Sequence, residues 1–431
     1  MHDGLESRLI IHNIIKLTIT KDHNFDQSLF ILTKNKKLSV QNKKFIHNVS
    51  LSSIRNYFVV RKIIKNLVKK IDDGSDNFIL LLSSITQIHF LKIKEYAVVN
   101  SAVELCDKKN INASKKLINA CLRNFVRKKK NYNNYSIEFN DMPDWFLLNA
   151  KNLNEKEKVI LIKNIITQPT LHIVLKEKKN LKKYIHLGKK TSNFSIGIDE
   201  KYNFNDIPYF EKGEWWVQDF SAMLPLSLIS LKKFNKIADV CSAPGGKLFQ
   251  ILSNNQNVVS YEKSKKRTLK LNENLHRLNY NINLKQLDFL EIDENKKFDL
   301  IVLDAPCSSV GTVRRNPDIL LKRKIPNIKY FINLQKDLLN KSKLLLKKNG
   351  VLIYMVCSFF KNETTDQVEN FLKKNNNFSI SPFKHNKNPI AKKLINKSGF
   401  VYTLPDNILD NIMIDGFFAA KLIKNNEDRI F

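Results

Sequence analysis

The sequence predicts a multidomain chain with an all-α N-terminal domain, a small α+β middle module and a C-terminal α/β domain built on a Rossmann-like sheet. Its 431 residues suffice for at least two separate cores. Up to about residue 130 the apolar residues recur at helical spacing, without a convincing alternating strand. From Trp216 onward, strand patterns alternate with helical stretches, which predicts right-handed βαβ units and a parallel sheet.

The N-terminal domain is predicted to consist of amphipathic helices separated by turn signals. We place these helices at residues 5–18, 24–33, 43–56, 61–69, 78–90, 97–108 and 113–126. A basic run at residues 127–130, followed by an Asn- and Tyr-rich stretch at 131–135, indicates a linker. The first domain is therefore predicted to span residues 1–135.

The remaining chain divides into two further predicted parts. Residues 140–212 are predicted to form the small α+β module, with a strand within residues 169–175. Residues 213–431 are predicted to form the Rossmann-like domain.

The charge of the chain favours a polyanionic partner. Lys plus Arg number 73 against 41 acidic residues, a formal net charge of +32. Such an excess is typical of proteins that bind nucleic acid. A compositional drift towards Lys, Asn and Ile could raise the charge without selection for binding, and this alternative stays open at this point.

Cysteine usage and hydropathy exclude several classes of protein. The five cysteines form no CxxC pair and have no nearby His to complete a zinc site, so we expect neither a disulfide framework nor a metal. The apolar runs are shorter than the roughly 18 residues that a membrane helix requires. The N-terminus lacks the pattern of a signal peptide. We therefore expect a soluble, cytoplasmic monomer that does not contact a membrane.

A glycine turn follows the first strand of the predicted Rossmann-like domain. The strand at residues 236–241 leads into the turn and then a helical run, and the turn region consists of Cys241, Ser242, Ala243, Pro244, Gly245, Gly246 and Lys247. The glycines remove side chains that would keep a ligand away from the backbone, and a helix N-terminus beyond them favours an anionic group. The turn is predicted to bind a cofactor.

The three strands that follow end in acidic residues. Glu262, Asp288 and Asp304 terminate the strands predicted at residues 258–262, 282–288 and 298–304. Each acid alone could simply cap the next element. Open α/β sheets bind ligands at the carboxyl ends of their strands, so the set of three favours a nucleotide-type cofactor. An oxidoreductase is disfavoured because the turn is not G-x-G-x-x-G.

Two cysteines lie at the ends of neighbouring predicted strands. Cys307 follows the strand that ends in Asp304, and Cys357 lies in the strand predicted at residues 351–358. A thiolate that attacks carbon 6 of cytosine turns carbon 5 into a nucleophile that can accept a methyl group, and a second group must then help remove the carbon-5 proton. Buried cysteine is also a common core residue. Because both cysteines follow strands of the same sheet, we expect them to face the crevice that holds the cofactor.

Several ordered motifs resemble a known family. Residues 241–247, 304–309, 314–318 and 355–358 resemble the signature of the Sun/Fmu (RsmB) family of RNA 5-methylcytosine methyltransferases, whose bacterial members act on 16S ribosomal RNA. Residues 218–222 and 415–422 resemble its flanking elements. Residues 96–105 and 117–123 resemble a NusB-like RNA-binding domain. The resemblance extends over nearly the whole chain, with residues 150–212 the least similar.

The resemblance implies roles for particular residues. It implies that residues 241–247, Glu262, Asp288 and Asp304 bind S-adenosylmethionine. It also implies that Cys357 is the nucleophile and that Cys307 assists enzyme release. If the cytosine enters the crevice, we expect Asp304 to lie near its N3 and N4 edge, where a protonated carboxyl could stabilise the charge built up by attack. The implied partner is 16S ribosomal RNA, unassembled or partly assembled. The chain departs from the family pattern where Glu262 replaces an Asp and Leu287 replaces a Gly.

Two alternatives stay open on the sequence. The same chemistry could act on a transfer RNA or another RNA, because no motif reads the RNA sequence directly. The NusB-like half could instead make the chain an RNA-binding assembly or antitermination factor with a vestigial enzyme domain. The intact set of Lys247, Asp304, Cys307 and Cys357 argues against such decay.

Overall fold

A computed structural model describes residues 3–293, 295, 297–322, 327–385, 389–409 and 411–425. These residues form two compact units. The first comprises residues 1–151 with 313–326, and the second comprises residues 152–312 with 327–431, within the described parts of those ranges. The boundaries predicted for three domains stay predictions.

The described part of the first unit is helical. Its helices are α1 (Asp3–Lys21), α2 (Phe25–Thr33), α3 (Val40–Arg55), α4 (Tyr57–Leu67), α5 (Asp76–His89), α6 (Glu95–Leu105), α7 (Lys115–Lys128) and α8 (Asp144–Asn149). The seven helices predicted for the N-terminal domain are confirmed, with ends that differ by four residues at most. Their starts follow local capping, since Asn24, Ser39, Ser75 and Ser114 each accept a hydrogen bond from the backbone N–H three residues later.

The segment at residues 313–322 belongs to the first unit, although the sequence pattern assigns it to the C-terminal domain. Its 3₁₀ helix Pro317–Leu321 contacts α1 and α3. Arg314 is buried, and its backbone carbonyl accepts a hydrogen bond from Nη2 of Arg55 at 3.1 Å. This part of the family motif is therefore held by helices that precede it by more than 250 residues.

The second unit begins with a small antiparallel sheet. Its elements are α9 (Glu155–Asn164), β1 (His172–Leu175), α10 (Leu181–Tyr184), β2 (Gly188–Ser192), β3 (Ser195–Ile198) and β4 (Trp215–Val217). The strand order is β2-β3-β1-β4. Ile173, Ile196 and Trp215 are buried in a common cluster on this sheet. The strand predicted within residues 169–175 is present as β1.

A larger sheet forms the rest of the second unit. Its strands are β5 (Ile237–Val240), β6 (Val258–Tyr261), β7 (Asn283–Lys285), β8 (Phe298–Asp304), β9 (Leu346–Val356), β10 (Phe378–Ile380), β11 (Val401–Thr403) and β14 (Phe417–Lys424), while β12 (Asp406–Leu409) and β13 (Ile412–Ile414) pair separately. The helices are α11 (Phe220–Ser227), α12 (Gly246–Leu252), α13 (Lys265–Arg277), α14 (Ile328–Leu345), α15 (Thr365–Lys373) and α16 (Pro389–Leu394).

The strand order of the larger sheet is β10-β14-β9-β8-β5-β6-β7, with β11 beside β14. Strands β5 to β9 pair in parallel, which confirms the predicted parallel sheet. Strand β14 pairs antiparallel with β9, β10 and β11, and this antiparallel edge was not predicted. Strand β7 is also shorter than the strand predicted at residues 282–288.

Both faces of the larger sheet are buried, which explains its nearly continuous apolar strands. Along β8, Leu300 and Val302 point into one core, whereas Ile301 and Leu303 point into the other. The carboxyl ends of the parallel strands consequently lie together at one edge of the sheet. In the described part of the chain, the helices are too short or too polar to cross a membrane.

Candidate active site

The turn after β5 has a backbone that depends on glycine. Cys241 and Gly245 have positive φ angles of 61° and 113°. A Cβ atom on Gly245 would lie 2.2 Å from the ring of Phe249, so a larger residue cannot occupy this position without displacing that ring. Gly246 faces Gln218, whose side chain would contact a Cβ atom at 3.2 Å. Glycine is therefore needed at residue 245 because Phe249 and Leu271 pack against the turn.

Glu262 closes the turn from the neighbouring strand. It is only 3% exposed, and its carboxylate accepts hydrogen bonds from the backbone N–H of Ala243 at 3.3 Å and of Ser264 at 2.9 Å. Nη1 of Arg267 lies 3.5 Å from the same carboxylate. Glu262 thus links the turn to the start of α13, and an alanine would remove that link.

Asp288 lies three residues beyond the end of β7. Its carboxylate accepts a hydrogen bond from the backbone N–H of Leu290 at 3.1 Å and pairs with Nζ of Lys263 at 2.6 Å. Burial opposes ionisation, but the hydrogen bonds from Lys263 and from the N–H of Leu290, together with the charge of Lys263, outweigh it and lower the pKa of Asp288. Asp288 caps the following 3₁₀ turn, and it lies beside the residue that follows Glu262.

Asp304 ends β8 and pairs with the last residue of the glycine turn. Nζ of Lys247 lies 2.7 Å from Oδ2 of Asp304. Burial works against the charged ammonium, but the Asp304 carboxylate raises the pKa of Lys247. The other carboxylate oxygen of Asp304 accepts no hydrogen bond from a described residue. The structure thus brings Lys247 and Asp304 together, and Oδ1 is left for a ligand.

Asp239 is a buried acid near Lys247, Glu262 and Asp304 that the sequence pattern did not single out. It lies in β5, is 0% exposed, and its two carboxylate oxygens lack a well-aligned donor among the described residues. Burial raises its pKa to about 7, and the nearby Ser242 hydroxyl opposes that rise. An acid within an otherwise apolar strand was the signal that could have identified it, because unpaired buried carboxylates are costly.

The two predicted thiols lie in contact. Cys307 follows β8 by three residues and Cys357 follows β9 directly, and their Sγ atoms are 3.3 Å apart. Cys307 is buried and Cys357 is partly exposed. The Sγ of Cys357 also lies 3.5 Å from the hydroxyl of Ser309. The structure therefore joins two side chains that are 50 residues apart in sequence.

The environment separates the two thiols electrostatically. The hydrogen bond with Cys307 lowers the pKa of Cys357, with a smaller contribution from Ser309, and together they outweigh burial and the Asp304 charge. The same hydrogen bond raises the pKa of Cys307, and burial and the charge of Glu363 act in the same direction. Both shifts make Cys357 the more acidic thiol of the pair.

Close backbone packing holds the loop that carries Cys357. The N–H of Gly311 donates to the carbonyl of Cys357 at 3.0 Å, and the N–H of Gly416 donates to the carbonyl of Gly311 at 2.8 Å. A Cβ atom on Gly311 would lie 1.9 Å from the carbonyl oxygen of Gly416. Glycine is required at residue 311 because three backbone segments meet there.

Comparisons with known proteins agree with this architecture. A sequence model of the NusB family matches residues 6–127, and a model described as 16S rRNA methyltransferase RsmB/F matches residues 226–423. The ribosomal RNA small subunit methyltransferase B of Vibrio vulnificus is 30% identical over 312 residues, which cover 68% of this chain and 73% of that protein. The probable ribosomal RNA small subunit methyltransferase B of Coxiella burnetii is 28% identical over 421 residues, which cover 92% of this chain and 94% of that protein.

A solved structure shows a similar fold along most of the chain. The crystal structure of PH0851 superposes with a TM-score of 0.69 at 18% identity, and covers 96% of this chain and 98% of that one. The mixed sheet and the NusB match define the class of protein: a Rossmann-like methyltransferase domain joined to an all-α NusB domain. The chain belongs to the 16S ribosomal RNA methyltransferase RsmB/F family, alongside the small subunit methyltransferases B.

Proposed function

We propose that this protein transfers a methyl group from S-adenosylmethionine to carbon 5 of a cytosine in 16S ribosomal RNA, through a covalent bond between Cys357 and carbon 6. The observation that carries the proposal is the 3.3 Å contact between the Sγ atoms of Cys307 and Cys357 at the ends of adjacent strands. Paired thiols at this place have a direct use in cytosine methylation.

The residues at the strand ends fit a nucleoside cofactor. The turn at residues 241–247 lies between β5 and α12, and Glu262 and Asp304 lie at the carboxyl ends of the two strands that pair with β5. Residues 241–247, Glu262, Asp288 and Asp304 would hold S-adenosylmethionine. When bound, its sulfonium supplies the methyl group.

The two thiols divide the reaction into two halves. The thiolate of Cys357 attacks carbon 6, a sulfur–carbon bond forms, and the electron pair of the carbon 5–carbon 6 double bond becomes available at carbon 5. After methylation the carbon-5 proton leaves to a base, the double bond re-forms, and the carbon–sulfur bond breaks with its electron pair on Cys357. We assign Cys307 to this second half. The cytosine must leave its stack to reach the thiolate.

Asp304 is placed to act on the edge of the cytosine ring. Its Oδ2 accepts from Lys247, while Oδ1 can accept a hydrogen bond from the cytosine 4-amino group. Such a contact orients the ring, and the ammonium of Lys247 beside it can stabilise the negative charge that attack builds on the ring. We therefore assign Asp304 to both cofactor and base recognition.

Bisulfite sequencing of 16S ribosomal RNA tests the proposed function. We expect one cytosine to be protected from conversion in cells that carry the gene and to be converted in cells that lack it. The same libraries should include transfer RNA as the alternative substrate. If cells that lack the gene lose protection only in transfer RNA, the substrate is a transfer RNA and not ribosomal RNA. If protection is the same in both kinds of cell for every RNA, cytosine methylation is rejected.

The cofactor assignment predicts an effect for Glu262. Glu262→Ala should weaken binding of S-adenosylmethionine by about 1–3 kcal/mol, because hydrogen bonds to a charged acceptor are lost. Titration calorimetry measures this change. Glu273→Ala on the exposed face of α13 is the matched control and should leave the affinity unaltered. Equal affinities of the two variants would contradict a cofactor role for Glu262.

The basic run at the end of α7 is predicted to contact RNA. Arg127, Lys128 and Lys130 are exposed, and replacing all three with Gln should weaken binding to 16S ribosomal RNA. Each lost phosphate contact should reduce the slope of log affinity against log salt by about 1, because fewer counterions are released. Filter binding at several salt concentrations measures the slope.

The control for the basic run removes the same charge elsewhere. Lys348, Lys373 and Lys374 are exposed lysines of the second unit, and their replacement with Gln gives the same net charge. We expect this control to retain the wild-type slope. Identical slopes for the two triple variants would show that general charge, and not the run at residues 127–130, governs RNA affinity.

A further inference from the structure

A buried carboxylate lies behind the two thiols. Glu363 ends the 3₁₀ turn Lys361–Glu363 that follows β9, and it is 0% exposed. Among the described residues, no lysine, arginine or histidine forms an ion pair with it. Hydrogen bonds from neutral donors therefore have to offset the free energy lost when this carboxylate is removed from water.

The donors to Glu363 come from the residues next to both cysteines. The backbone N–H and the hydroxyl of Ser308 donate to Oε1 and Oε2 at 2.8 and 2.5 Å, and the hydroxyl of Ser358 donates to Oε2 at 2.7 Å. Ser308 follows Cys307 and Ser358 follows Cys357 in the sequence. One carboxylate thus ties together the two loops that present the thiols.

Other elements hold Glu363 in place. Nε2 of Gln335 on α14 lies 3.2 Å from Oε1 of Glu363 and also donates to the carbonyl of Pro306 at 2.9 Å. The hydroxyl of Tyr354 on β9 donates to the backbone carbonyl of Glu363 at 2.7 Å. The network fixes Glu363 relative to the strand that precedes Cys357 and to the residue before Cys307.

We propose that Glu363 is a positioning residue that sets the contact between Cys307 and Cys357 and thereby favours attack by Cys357. This inference rests on the proposed function, because it concerns the same thiols. The proposal stands on the shared hydrogen bonds to Ser308 and Ser358. Glu363 contacts neither thiol through a hydrogen bond, so it acts through the two serines and through its charge.

The charge of Glu363 acts on the two thiols unequally. It contributes to the raised pKa of Cys307, after the hydrogen bond with Cys357 and burial. The lowered pKa of Cys357 depends first on the hydrogen bond with Cys307. Removing the charge should therefore ease ionisation of Cys307, so that Cys307 competes with Cys357 as the thiolate. A carboxylate that merely stabilises the fold would not change which thiol ionises.

The test measures how a limiting amount of iodoacetamide divides between the two thiols of the full chain. Mass spectrometry gives the ratio of Cys357 to Cys307 labelling near neutral pH, without RNA or cofactor. In Glu363→Gln we expect this ratio to fall by at least about tenfold, which corresponds to a change of one unit in the difference between the two pKa values. Thr364→Val is the control, because its buried hydroxyl bonds only within the same turn.

The outcomes separate positioning from a structural role. A wild-type ratio in folded Glu363→Gln, or an equal fall in Thr364→Val, would overturn the proposal. If thermal unfolding shows that Glu363→Gln does not fold, Ser358→Ala replaces it, since it removes the hydrogen bond from the residue after Cys357 to Glu363, and a fall in the same direction is expected. The ratio is measured without methyl transfer, so absence of 5-methylcytosine in bisulfite data would reject the proposed function separately.

Discussion

Cys357→Ala should abolish both methyl transfer and the covalent bond to RNA, whereas Cys307→Ala should accumulate a protein–RNA species that survives denaturing electrophoresis. The reason is that Cys357 carries the lowered pKa and the greater exposure of the two thiols. Without Cys307, attack and methylation still proceed but release from carbon 6 is slow. Electrophoresis with labelled 16S ribosomal RNA and S-adenosylmethionine measures both outcomes.

The alternative assignment gives the opposite result. The Pro306–Cys307 pair resembles the nucleophile site of DNA cytosine methyltransferases, so Cys307 could in principle attack. An adduct that accumulates with Cys357→Ala and is absent with Cys307→Ala would reverse the two roles. Cys106→Ala is the control, since this thiol lies in the first unit, and it should behave as wild type. Because the pKa of Cys357 is lowered, its thiolate should be present, and the adduct should form, at pH values at which an ordinary thiol is still protonated.

Asp304→Asn should reduce the rate of methyl transfer by about 10² to 10³, the usual cost of losing a preorganised electrostatic contact in an active site. Asparagine keeps the shape and can still accept a hydrogen bond from Lys247, but it removes the negative charge that pairs with the ammonium. The substitution also replaces one carboxylate oxygen of Asp304 with an NH₂ group, which is a donor and cannot accept a hydrogen bond from the cytosine amino group. Single-turnover methylation with saturating cofactor measures the chemical step.

A second aspartate of the same strand serves as the control. Asp299 lies near the opposite end of β8, where it accepts from the backbone N–H groups of Asn235 and Lys236 and pairs with Lys347. Asp299→Asn should lower stability slightly and leave the single-turnover rate within about twofold, because it does not face the thiols. If Asp304→Asn turns over as fast as Asp299→Asn, Asp304 has no catalytic part.

Much of the fold follows from local patterns. The seven N-terminal helices could be predicted because apolar spacing and capping residues such as Ser39 and Ser75 are local signals. The parallel strands β5 to β9 were recognisable as apolar runs between helical stretches. The antiparallel strand β14 was not, because a run buried on both faces looks the same in either direction.

The site shows the same division between local and long-range information. The cysteines, the glycine turn and the acids were identified from residue type and position after strands. Asp239 was missed because the sequence does not show whether a strand acid finds a partner. Glu363 was missed because its role depends on Ser308 and Ser358, and Ser308 lies 55 residues away in the chain.

The sequence by itself determined the class of the chain, the order of its elements and the residue types that carry the chemistry, because hydrophobic period, turns and motifs are properties of neighbouring residues. Only the tertiary structure decided that Cys307 and Cys357 touch at 3.3 Å, that Glu363 ties their loops, and that residues 313–322 pack on the N-terminal helices. Each of these contacts involves residues that are far apart in the sequence. Packing and burial select those pairings when the whole chain folds, and a single sequence carries no local signal for them.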